Sequence, residues 1–134
     1  MSLSQKHGIK ALLIDDDPLF GNLLTRKASA HGIKLEYRSS LVEALYEGYL
    51  RSYDVAILDC VMPELSGFEV SHYLATFLED ISVILVSQSD SSFAKFLQDG
   101  CGAVTFISKE QGADAIFAAA KTATLGRSKK AVAA

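Results

Sequence analysis

The chain has 134 residues, 16 acidic against 13 basic, and a formal net charge of -3. That length suits one domain burying roughly two-thirds of its unfolded surface, and the acidic balance argues against nucleic acid or an anionic membrane as the main partner. Cys60 and Cys101 are too few for a disulfide framework and read as small buried thiols; no apolar run reaches signal-peptide or membrane-spanning length, so a cytoplasmic location is expected.

Residues 1–8 read as a disordered start, 9–125 as the domain, and 126–134 as a tail or the beginning of a linker to an output domain. Within the domain, short apolar runs alternate with helical patterns, the rhythm of βα units. Lys10 to Ile14 is the first predicted strand. Asp17 then has the character of an N-cap, with Pro18 at the first helical position, where proline's missing donor costs nothing. Leu19, Phe20, Leu23, Leu24 and Ala28 give that helix an apolar stripe, and Gly32 ends it. Ile33 to Arg38 forms a weaker second strand, and Ser40 caps a helix carrying Val42, Leu45, Tyr49 and Leu50. Val55 to Leu58 is a third strand with Asp59 at its end; Met62-Pro63 stops it, and Glu64 to Gly67 reads as a turn. A helix follows from Gly67 through Val70, Leu74 and Phe77. Ser82 to Val86 is mostly β-branched and apolar, hence a strand. Ser91 or Ser92 opens a short helix with Phe93, Phe96 and Leu97, closed by Gly100; Ala103 to Ile107 is the fifth strand and Ala113 to Thr124 an alanine-rich fifth helix.

Strict alternation of five strands and five helices predicts an α/β, three-layer, doubly wound (βα)5 sandwich with right-handed crossovers. Polar residues gather at the strands' carboxyl ends: Asp15 and Asp16 after the first, Asp59 at the third, Ser87 at the fourth, Lys109 after the fifth. In the flavodoxin-like order 2-1-3-4-5, the first and third strands are neighbours and the crevice lies between them, which brings Asp15, Asp16 and Asp59 together. Three clustered carboxylates repel unless a cation sits among them or one takes up a proton. Oxygen ligands alone suit a hard ion such as Mg²⁺, whereas zinc wants His or Cys; His7, His31 and His72 lie far from these strand ends and read as ordinary surface residues. A metal beside Asp59, with Lys109 and the Ser87 hydroxyl across the crevice, is what phosphoryl transfer to a carboxylate requires.

In order and spacing, Leu12 to Asp17, Leu58 to Pro63, Gly67-Phe68-Glu69, Ile84 to Ser87 and Gly102 to Lys109 resemble the receiver domain of two-component response regulators, over roughly Ile9 to Leu125. The resemblance implies that Asp59 accepts a phosphoryl group from a histidine kinase or phosphotransfer protein, and that Asp15, Asp16, Asp59 and the Val61 backbone carbonyl hold Mg²⁺. It also implies that Ser87 is the switching hydroxyl, Lys109 the phosphate partner and Phe106 the aromatic that changes rotamer. Such a chain is a signalling domain rather than an enzyme acting on a separate substrate. Homodimerisation through the fourth helix, fifth strand and fifth helix is the family's pattern.

Two positions depart from that pattern. Gln88 stands where a small residue is usual and can partly cover the site, and Glu110 follows Lys109 where proline across a cis bond is usual, so a trans peptide is expected. These departures frame the alternative, a degenerate receiver that binds partners without being phosphorylated. An aspartyl-phosphate hydrolase fits poorly, since its nucleophile belongs after the first strand. A nucleotide-binding domain is set aside because three acids follow that strand instead of glycines.

Overall fold

A computed structural model of the chain describes residues 8–40, 53–59, 81–88 and 105–133. The helices expected after Ser40, after Gly67 and after Ser91 lie outside these residues, as do Val61, His7 and His72. Five parallel strands form one sheet: β1 (Ile9–Ile14), β2 (Ile33–Arg38), β3 (Val55–Asp59), β4 (Ser82–Ser87) and β5 (Thr105–Ser108), ordered β2-β1-β3-β4-β5. This is the expected order.

Side chains alternate across each strand, so the two faces separate by register. Ala11, Leu13, Val55, Ile57, Ile84 and Val86 form one face and pack with Leu24, Ala28, Ile116, Phe117 and Ala120 from helices α1 (Pro18–Ala28) and α2 (Ala113–Ala133). Leu12, Ile14, Ala56, Leu58, Val83 and Leu85 point the other way and are buried too. A sheet covered on both faces explains why β3 and β4 read as continuous apolar runs instead of alternating ones.

Local chemistry sets the element ends. The Asp17 carboxylate accepts from Leu19 N at 3.0 Å, the cap expected beside Pro18. Helix α1 then tightens into a single 3₁₀ turn, Ser29–His31, and Gly32 closes it with φ at 71°, its N–H donating to Ser29 O. At the amino edge of the sheet, Lys10 N donates to the Asp54 carboxylate at 2.9 Å while Asp54 N donates to Lys10 O at 2.7 Å, pinning β1 against β3.

Two features differ from expectation. Helix α2 runs past Thr124 to Ala133, through the stretch that reads as a tail, because one Gly126 costs a helix only about 1 kcal/mol and the alanines, Arg127 and lysines beyond it are good helix formers. His31 is partly buried rather than an ordinary surface residue: its Nε2 lies 2.9 Å from Asp114 Oδ1 and its ring 4.9 Å from that of Phe117, tying the end of α1 to α2.

Candidate functional site

The register of the sheet builds the site. Ile14 pairs with Leu58, so Asp15 and Asp59 emerge side by side at the carboxyl edge between β1 and β3, where the strand order reverses. Asp59 pairs with Val86, which sets Ser87 in the next position along that edge, 2 % exposed. Ser87 pairs with Ser108, and Lys109 follows at once in a 3₁₀ turn, Lys109–Gln111. Four strands thus deliver Asp15, Asp16, Asp59, Ser87 and Lys109 to one edge. Phe106 lies opposite Leu85 in β5, three residues before Lys109.

The Asp15 side chain is fully buried and held at both oxygens. Its Oδ1 accepts from Asp17 N at 2.8 Å, and its Oδ2 lies 2.7 Å from Lys109 Nζ. That short contact is a charge-assisted ion pair, and among the described residues Oδ2 has no partner besides it. Asp59 Oδ2 lies 3.5 Å from the same ammonium. Lys109 itself is nearly enclosed and stands over the Phe20 ring, 4.4 Å from its centroid. Burial pushes the ammonium toward losing its proton, but contact with the Asp15 carboxylate and the charges of Asp59 and Asp15 outweigh this and hold its pKa above the ordinary lysine value.

One oxygen from each of Asp15, Asp16 and Asp59 falls within a 4.8 Å group; Asp16 is exposed and the other two are buried. Among the described residues these three carboxylates are grouped with one ammonium, that of Lys109, and the buried Asp15 Oδ2 has that ion pair and no further partner. Both observations fit a hard divalent cation held by oxygen ligands, and the group can bind a metal.

The trans peptide expected at Lys109–Glu110 is present, since no cis bond occurs among the described residues. The turn after β5 is instead closed by the Ser108 hydroxyl oxygen, which accepts from Glu110 N at 3.1 Å. Lys109 reaches both carboxylates from this turn, so the departure from proline leaves the ion pairs intact.

Two residues at the site had no role in the sequence reading. Phe20 counts there only as part of an apolar stripe, yet its ring underlies the Lys109 ammonium. Tyr37 donates its hydroxyl to the Asp15 carbonyl at 2.7 Å. The one sequence signal for Tyr37 is an aromatic with a polar tip near the carboxyl end of a strand, the edge where the acids collect.

These features define a class: a flavodoxin-like α/β domain with an oxygen-rich acidic crevice at the switch point of its sheet. Residues 11–121 match the family described as Response regulator receiver domain, and the chain belongs to that family, the receiver domains of two-component response regulators. It is 29 % identical over 101 residues to Response regulator MprA of Mycobacterium sp. (strain KMS), a match covering 75 % of this chain and 44 % of the relative. The chain therefore spans less than half the length of that curated relative. In fold it is similar to the signal receiver domain of a putative Luxo repressor protein from Vibrio parahaemolyticus, with TM-score 0.78 and 18 % identity, covering 94 % of this chain and 97 % of that one. A response regulator receiver domain protein from Clostridium thermocellum gives TM-score 0.77 and 23 % identity, covering 90 % and 97 %. The chain is thus a signalling domain, and no helix among the described residues is long and apolar enough to cross a membrane.

Proposed function

We propose that this receiver domain is a working phosphoacceptor, with Asp59 the nucleophile and Asp15, Asp16, Asp59 and the Val61 carbonyl the Mg²⁺ ligands. The observation that carries the reading is the Lys109 ammonium held between two buried carboxylates, 2.7 Å from Asp15 and 3.5 Å from Asp59. A purely protein-binding module has no need of a lysine buried against an acidic crevice, an arrangement expensive to keep unless the charges are used.

In the forward step an Asp59 carboxylate oxygen forms a bond to phosphorus while the bond from phosphorus to the donor's leaving group breaks, and the leaving group keeps the electron pair. For a histidine kinase or phosphotransfer protein as donor, that group is an imidazole nitrogen. Bound Mg²⁺ supplies positive charge that neutralises the acids and the incoming phosphoryl oxygens. The chain's own residues do the rest. Lys109 offers a second cation to the transferred group, the Ser87 hydroxyl is positioned to donate to one of its oxygens, and Asp15 keeps Lys109 in place beforehand.

Phosphorylation then biases a two-state equilibrium and changes which partner binds, with Ser87 and Phe106 as the switching pair. Dimerisation through the fourth helix, β5 and α2 belongs to the same reading; Leu125, 64 % exposed on α2, is an apolar side chain such a contact would cover.

The test is incubation with acetyl phosphate and Mg²⁺ followed by intact mass measurement. The expected result is the gain of one phosphoryl group in the unaltered chain and none in Asp59→Asn. No gain, or a gain that survives Asp59→Asn, sinks the phosphoacceptor reading and favours a receiver that binds partners without modification.

A further inference from the structure

The acidic pair Asp15-Asp16 sits on the loop between β1 and α1, and a loop carrying adjacent like charges has every electrostatic reason to splay. Among the described residues it is pinned chiefly through Asp15. Asp15 N donates to Arg38 O at 3.2 Å, Asp15 Oδ1 accepts from Asp17 N at 2.8 Å, and the Asp15 carbonyl accepts the Tyr37 hydroxyl at 2.7 Å. The third of these bonds is the most consequential for the exposed member of the pair. The carbonyl belongs to the peptide joining Asp15 to Asp16, so a donor fixed on it fixes the plane of that peptide and the direction in which Asp16 leaves the backbone.

Tyr37 is itself held. It pairs with Leu13, two residues before Asp15, and its ring lies where a Cβ on Gly21 would have to be, 2.6 to 2.8 Å from three ring carbons. Glycine at this buried position of α1 gives up helix propensity, and what occupies the space is the ring that carries the hydroxyl to Asp15.

We propose that Tyr37, seated on Gly21, is a positioning residue that presets the Asp15-Asp16 pair for a divalent cation before any phosphodonor arrives. The inference rests on the Mg²⁺ reading above and deepens it. Held in place beforehand, the acids need no reorganisation when the cation binds; released, they splay, and binding free energy is spent regathering them. The reach is through the backbone, since the hydroxyl touches a peptide carbonyl and not a carboxylate.

The experiment is a calorimetric titration of the full chain with MgCl₂ and no phosphodonor, paired with a thermal melt in EDTA. Tyr37→Phe keeps the ring on Gly21 and deletes the hydroxyl; about tenfold weaker Mg²⁺ binding is expected, the lower end for loss of a partner that orients metal ligands. Gly21→Ala keeps the hydroxyl and displaces the ring, so it too should weaken Mg²⁺ binding although alanine favours the helix. Tyr53→Phe is the control: its hydroxyl donates to Glu36 from just before β3, at the other edge of the sheet, and its loss should leave Mg²⁺ affinity unchanged. A merely structural Tyr37 would lower the EDTA melting temperature and spare the affinity, which overturns the inference alone. An unaltered chain that takes up no Mg²⁺ overturns the metal reading and this inference together.

Discussion

Lys109 Nζ lies nearer to Asp15, at 2.7 Å, than to Asp59, at 3.5 Å. The lysine's shortest contact is therefore with Asp15, a proposed metal ligand, and its longer one with Asp59, the proposed nucleophile. A lysine so placed is poised to transfer its attention to a phosphoryl group on Asp59, which would carry oxygens into the gap. In the proposed reading its removal deletes the phosphate partner and keeps the nucleophile, with bound Mg²⁺ left to compensate the acids. For Lys109→Ala we expect phosphorylation by acetyl phosphate to persist while the conformational response weakens, read as smaller amide shift changes along β4 and β5 on phosphorylation. Full-sized shifts in that variant would contradict the assigned role.

The same contacts give Lys109 a pH signature. Burial opposes the charged form, but the Asp15 contact and the Asp59 and Asp15 charges raise its folded-state pKa above the usual value. A raised value means stability that is fully present below the unfolded lysine pKa, about 10.4, and lost as pH climbs through the higher folded one. In EDTA, the unaltered chain should therefore melt above Lys109→Ala across the neutral range, and the gap should close only in strongly alkaline solution. A gap that closes near neutrality would mean the lysine is not held by these carboxylates.

Much of this site was legible in the sequence because strand-end chemistry is local. Continuous apolar runs at Val55 to Leu58 and Ser82 to Val86 announce strands buried on both faces, and the polar residue just beyond each run then has to emerge at the ligand-binding edge. Ser87 closes β4 as expected. Contacts that depend on tertiary approach were not legible. Phe20 under Lys109 joins residues far apart in the chain, and His31 reaches Asp114 across 83 positions. Nothing in a helical stripe or a lone histidine encodes such meetings. The end of α2 was missed for a different reason: a single glycine near a helix end reads as a stop, while its cost is small enough for the alanines and lysines beyond it to override.

Within β2, Glu36 accepts the Tyr53 hydroxyl and lies near Arg38, 3.6 Å away. The Tyr53 hydrogen bond, helped by the charges of Arg38, Lys10 and Lys34, holds the Glu36 carboxyl below its ordinary pKa despite some burial. A depressed folded value gives stability that is present above the unfolded glutamate pKa, about 4.3, and lost as pH falls through the folded one. Tyr53→Phe removes the largest cause, so its melting temperature should differ most from the unaltered chain near neutrality, with the difference shrinking below about pH 4. A difference independent of pH would show that Tyr53 stabilises by packing alone.

Gln88 follows directly on Ser87 and is exposed, at the rim of the crevice that holds Asp59. Its side chain is longer than the small residue usual for the family at this place. A flexible amide there can stand over the proposed acyl phosphate, and what it blocks it blocks in both directions: a donor would have to pass it to reach Asp59, and so would the water that hydrolyses the product. Steric shielding therefore predicts a correlated change in two rates. Gln88→Ala should speed both phosphorylation by acetyl phosphate and loss of the phosphoryl group after the donor is removed, each followed by intact mass over time. Because the side chain is exposed, the substitution should move the melting temperature little, within the ~0.5 kcal/mol usual for surface changes. If only hydrolysis accelerates, Gln88 acts on the attacking water and not on entry; if neither rate moves, the shielding argument is wrong.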